Sequence, residues 1–95
     1  MKPREFTAQM CMSMGQWLVF VALRGEPTPW PEHSFEGERL PTFTERVQAL
    51  KGLGFEPVPG AVWQWQEFSD DPADPASPAH LLAYVGVRSR REAAA

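Results

Sequence analysis

The stretch Pro41 to Phe55, PTFTERVQALKGLGF, constrains this chain more than any other, because it has helix signals at both ends and strand-like segments on either side. Thr42 and Glu45 stand in the S/T-x-x-E spacing of a capping box, in which the hydroxyl accepts from the Glu45 amide and the carboxylate from the Thr42 amide. Phe43, Val47, Leu50 and Leu53 fall near one face of a helical period, with Thr44, Arg46, Gln48 and Lys51 elsewhere. Gly54 can adopt the left-handed conformation that ends a helix, and Phe55 can then fold back towards Leu50. Gly52 weakens the last turn.

Before this helix, Phe6 to Ser13 alternates, with Phe6, Ala8, Met10 and Met12 facing opposite to Thr7, Gln9, Cys11 and Ser13. Met14-Gly15-Gln16 can turn the chain into Trp17 to Leu23, which is apolar on both faces and so wants cover on both sides. Residues 25–41, GEPTPWPEHSFEGERLP, hold four prolines and two glycines and are read as a long loop without regular structure. After the helix, Pro59-Gly60 suits a type II turn or a bulge, and Ala61 to Phe68 reads as a strand with Trp63 and Trp65 on one face and Gln64 and Gln66 on the other. Residues 69–79, SDDPADPASPA, form an acidic, Pro-rich connector expected to be mobile. His80 to Val87 is the last strand, and residues 89–95 are an expected frayed tail.

The order strand, strand, helix, strand, strand implies a single α+β domain spanning residues 1–95, with a four-stranded, mainly antiparallel sheet and one helix across a face. A β-grasp-like topology, with first and last strands central and parallel, is compatible with it. So is an order that keeps the second strand central. The 95 residues leave no room for a second core, since chains of this size bury only roughly 60–65% of their unfolded surface. No apolar run approaches the roughly 20 residues that span a bilayer. That, the lack of a cationic leader and the single Cys11 lead us to expect a cytoplasmic protein.

Functional classes are narrowed mainly by what the chain lacks. It has no phosphate-binding glycine loop, nucleophile elbow or zinc-type cysteine pair, so no catalytic, cofactor or metal residue is assigned. Cys11, between Met10 and Met12, reads as a small hydrophobe rather than a nucleophile. His33 and His80 lack ligand spacing, which leaves a small enzyme or metal protein built on them and the loop carboxylates Glu32, Glu36 and Glu38 as the weakest reading. A net charge of −3 opposes general attraction to phosphates. Even so, Trp63 and Trp65 could stack bases with Arg88, Arg90 and Arg91 supplying charge, so a nucleic-acid-associated accessory protein is the alternative. If those tryptophans are instead core beneath the helix, this platform does not exist. The first expectation is a non-enzymatic interaction or regulatory module that binds an unidentified protein partner, or its own copy as a homo-oligomer, through the 25–41 loop and a sheet face or edge. Trp30, Pro31, His33 and Phe35 are its candidate partner-binding residues, unless the loop simply packs back over the sheet.

The stretches GQWLVFVAL, WPEH at residues 30–33 and LPTFTERVQALKGLGFEPVPGAVWQW resemble a family of small uncharacterised actinobacterial proteins of unknown function. The resemblance runs from about the first strand to the last. It implies no activity, cofactor or catalytic residue.

Overall fold

The computed structural model describes residues 4–90. Helix α1, Phe43–Gly52, forms where its end signals place it: the Glu45 amide donates to Thr42 Oγ1 over 3.1 Å, and the Thr42 amide donates to the Glu45 carboxylate over 2.9 Å. Its other end closes through the Leu53 amide, which donates to the carbonyls of Ala49 and Leu50, and through Gly54 at φ 92°. The buried stripe is Ala49 and Leu50 rather than the expected run from Phe43, which points into solvent.

Six strands accompany this helix: β1 (Glu5–Ser13), β2 (Gln16–Ala22), β3 (Glu32–Ser34), β4 (Phe55–Pro57), β5 (Gln64–Ser69) and β6 (Ala79–Ser89). They make one antiparallel sheet in the order β3-β2-β1-β6-β4, with β5 also on β6. The expected four strands become six for two local reasons. β3 lies inside the segment read as pure loop, where three residues after Pro31 pair with Leu18, Val19 and Phe20. β4 and β5 lie along the same edge of β6, because β1 holds the other edge. They are separated by the turn at Pro59-Gly60, which has the type II form: Gly60 has φ 82°, and the Ala61 amide donates to the Val58 carbonyl over 2.9 Å.

A β-grasp arrangement is not formed. The first and last strands are central neighbours, but Phe6↔Val87 and Met10↔Ala83 pair antiparallel. α1 instead crosses from β3 at one edge to β4 at the other, and β5 then hairpins back into β6. The β1–β2 turn is tighter than expected: Met14 (φ 52°) and Gly15 (φ 81°) are its only unpaired residues, as in a type I′ turn, and Gln16 already pairs with Ser13. At the C-terminal end β6 continues to Ser89, inside the expected tail, and the Arg90 amide donates to the Gly54 carbonyl; residues 91–95, Arg91 included, lie outside the described residues.

The registers sort side chains between faces, because directly opposed residues share one. Ala8, Met10, Val19, Val21, Ala83, Val85 and Val87 line the inner face and form the core with Leu50, Ala49 and Phe35. The sheet curls around them. In a flat sheet β2 and β5, three strand positions apart, would be about 14 Å apart, yet the rings of Trp17 and Trp65 meet edge to face at 6.2 Å.

Candidate functional site

Element lengths leave one end of the inner face open. A ten-residue helix is about 15 Å long, whereas the eleven residues of β6 span about 36 Å. α1 lies over the β4 end of β6, where Phe55 packs edge to face on Phe6, and its last covering contact towards β5 is Arg46, whose guanidinium sits 5.2 Å from the Trp63 ring and 6.0 Å from that of Trp65. Beyond Arg46 the helix no longer covers the inner face, and although the loop closes over Trp17, Met12 and Trp65 remain 43% exposed there and Leu81 48%. Phe68, on the outer face at the same end, is also 48% exposed.

The same end contains a cleft. Pairing between β1 and β6 stops at Cys11↔Leu82, although β1 runs on to Ser13 and β6 begins at Ala79. The two strands therefore part, each held only by its outer neighbour. Between them lies a cleft of about 330 Å³, walled by Met12 and Trp17 on one side and by Phe68 and Leu81 on the other, with Cys11 and His80 also on its lining. At its rim His80 Nε2 is 3.0 Å from Asp70 Oδ2, and the His80 ring lies against Phe68 with centroids 5.3 Å apart.

The polar groups here do not form a reactive set. Burial pushes the Cys11 thiol above its ordinary pKa, so it stays protonated at neutral pH and is a poor nucleophile. His33 sits opposite Val19 on the inner face at one edge, while His80 sits opposite Phe68 on the outer face across the sheet, so the two histidines do not converge. Among the described residues no three histidine, cysteine or acidic side chains gather as a metal site. Glu32, Glu36 and Glu38 are exposed. Beside the loop, Glu45 is held at a pKa of about 2, first by the Arg39 guanidinium 3.0 Å away and then by Thr42, which fixes it as a capping carboxylate.

The four loop residues expected at a partner surface are dispersed. Phe35 is core, 9% exposed, with its amide bonded to the Trp17 carbonyl over 2.8 Å; its expected place at a partner surface is corrected accordingly. His33 packs edge-on against Phe35 at 4.9 Å. Trp30 is on the opposite face, 40% exposed and stacked on Phe20 at 6.0 Å, with Arg24 over its ring. Pro31 lies between, its carbonyl accepting from the Val21 amide. Much of the loop thus closes over the sheet, helped by the Trp17 indole, which donates to the Glu38 carbonyl over 3.1 Å. Trp63 and Trp65 lie on the helix side of the sheet and share Arg46, beside the acidic Glu67 and Asp70. The connector after them is folded rather than extended, since Asp71 and Asp74 accept from the amides two residues on and Ser77 bonds the Asp71 amide.

Met12, Phe68 and Leu81 were not singled out from sequence, and His80 was weighed there only with His33 as a metal or acid–base candidate. The signal was present in the mismatch between one short helix and a strand whose first half, His80 to Leu82, is apolar on both faces. The family of unknown function DUF6303 matches residues 4–95 of this chain. The chain belongs to the DUF6303 family. No curated protein and no solved structure matches it. The DUF6303 match takes in all six strands and the helix, so the open end belongs to the family domain itself.

Proposed function

We propose that this DUF6303 chain is a small non-enzymatic interaction module that binds a protein partner through the open end of its sheet. The observation that carries this reading is the group of large apolar side chains left exposed around a cleft at one end of the sheet, Met12, Trp65 and Leu81 on the inner face that α1 does not reach and Phe68 on the outer face. A monomer has little reason to expose so much apolar surface in one place, and such patches mark sites where another surface docks. The cleft admits an aromatic or branched apolar side chain as an anchor, and the His80–Asp70 pair at its rim offers polar contacts around it. The 25–41 loop contributes through Trp30, Pro31 and His33 only as a secondary contact, because it is tied to β2 along most of its second half. We place this activity in the cytoplasm, where an unpaired Cys11 is the usual state.

Site-directed photocross-linking tests it. A photoreactive phenylalanine analogue at Leu81 is expected to capture a protein in cells of the native host, and the same group at Thr28, exposed in the loop, is not. Capture should disappear when Phe68→Asp is added. Equal capture at both positions, or none at Leu81, contradicts the reading.

A further inference from the structure

We infer that the protein docked at this end is a second copy of the same chain, joined edge to edge through β5. This inference rests on the interaction reading above and names its partner. β5 uses one edge to pair with β6; along the other, among the described residues, no strand, helix or loop bonds to Gln64–Ser69. An open edge of this kind is a template for another strand, and monomeric proteins blunt such edges with proline, lysine, bulges or shortness. β5 has six residues, no proline, no glycine, no lysine, and Glu67 as its single charge.

The sequence of β5 also matches itself. Two copies related by a twofold axis perpendicular to the sheet pair antiparallel, and with Gln66 on the axis Gln66 faces its own counterpart, Trp65 faces Glu67 of the second copy, and Gln64 faces Phe68. The two Gln66 amides can donate to and accept from each other. The two Trp65 rings become diagonal neighbours on the inner face, at a spacing of about 7–8 Å that aromatic side chains bridge. Moving the axis to Glu67 would set two carboxylates directly opposite, which is unfavourable. Moving it to Trp65 would leave Phe68 facing Val62, outside the strand. Only the Gln66 register pairs residues 64–68 completely without setting two like charges directly opposite; the two Glu67 carboxylates lie on the other diagonal from the Trp65 pair, which is the one repulsive contact of the seam.

Net charge does not oppose this assembly. Although each copy carries −3, antiparallel pairing sends the acidic connectors to opposite ends of the seam. Asp70 of one copy lies beside position 62 of the other, so the two Asp70 side chains are about 27 Å apart, beyond the screening length of about 8–10 Å at physiological salt. The product is one continuous sheet in which Trp65 on the inner face and Phe68 on the outer face each gain cross-strand neighbours from the second copy.

Sedimentation equilibrium over a range of concentrations tests the inference, with circular dichroism confirming that each variant folds. The wild type is expected to reach a dimer. Gln66→Lys, which opposes two cations on the axis, is expected to weaken association by roughly tenfold or more, while Ser34→Lys on the other edge leaves it unchanged. Glu67→Gln, which removes the one edge charge, is expected to tighten it. A wild type that stays monomeric, or a dimer indifferent to Gln66→Lys and Glu67→Gln, overturns the inference. A monomer that still cross-links from Leu81 to a foreign protein overturns the second copy alone, whereas a monomer without cross-links removes the interaction reading as well.

Discussion

The two edges of this sheet are built on opposite principles. At one, β3 is three residues long, follows Pro31, and presents Glu32, His33 and Ser34, all exposed and polar. It offers a second strand almost nothing, and Phe35 directly behind it anchors the chain in the core. At the other edge β4 ends at Pro57 and is interrupted by the Pro59-Gly60 turn, but β5 then runs for six residues with Trp65 and Phe68 exposed. One edge is closed and anchored, while the other is open and carries exposed aromatic side chains. The difference shows that aromatic residues in a sequence do not by themselves say which edge of a sheet is covered. The loop with Trp30 and Phe35 looked like a partner surface in sequence, but much of it closes the β3 edge; the β5 strand, which the sequence left open between an exposed platform and core beneath the helix, is half uncovered.

Stability should separate the two edges most strongly. Phe35→Ala is expected to cost about 3–4 kcal/mol in chemical denaturation, since it empties a buried ring site. Phe68→Ala should cost less than about 1 kcal/mol, as expected for a half-exposed side chain outside the core. Equal costs would erase the contrast. Trp30→Ala is expected to lose about 1 kcal/mol through its stack on Phe20, with no change in self-association. A loss of association there would move the contact back to the loop.

The smallest effect concerns the helix start beside the closed edge. Glu45 has its folded pKa lowered from 4.5 to about 2, so the stability it contributes is fully present above about pH 4.5 and is lost as pH falls towards 2. Glu45→Gln should flatten the part of the acid-unfolding curve that lies in that window. Curves of the same slope for wild type and variant would show that Glu45 does not hold the cap.

How much was legible in sequence follows from how local each interaction is. The helix and its capping box rest on contacts between residues three or four apart, and Thr42, Glu45 and Gly54 declared them. The alternation of Ala8 and Met10 gave the inner face of β1, and Pro59-Gly60 marked a reversal for which a type II turn was one of two readings. β3 was not legible, because its three residues become a strand only by bonding to Leu18, Val19 and Phe20, a dozen or more positions away. Missing it removed one reversal of the chain, which is why a parallel pairing of first and last strands looked open when the pairing is antiparallel. The open end was hidden for a related reason: it follows from how far α1 reaches along β6, a comparison of lengths in space. The reading of Trp63 and Trp65 as core beneath the helix, left open in sequence, holds for their face but only in part for their burial: Trp63 packs half-buried against the core under Arg46, while Trp65 stays 43% exposed.

Amide hydrogen exchange measured at low and at high protein concentration tests the central claim most directly, because it follows both edges in one sample. The outward-facing amides of Gln64–Ser69 are expected to gain protection as concentration rises, while those of Glu32–Ser34 exchange at the same rate throughout. Protection that appears at β3 instead, or at neither edge, would contradict the account.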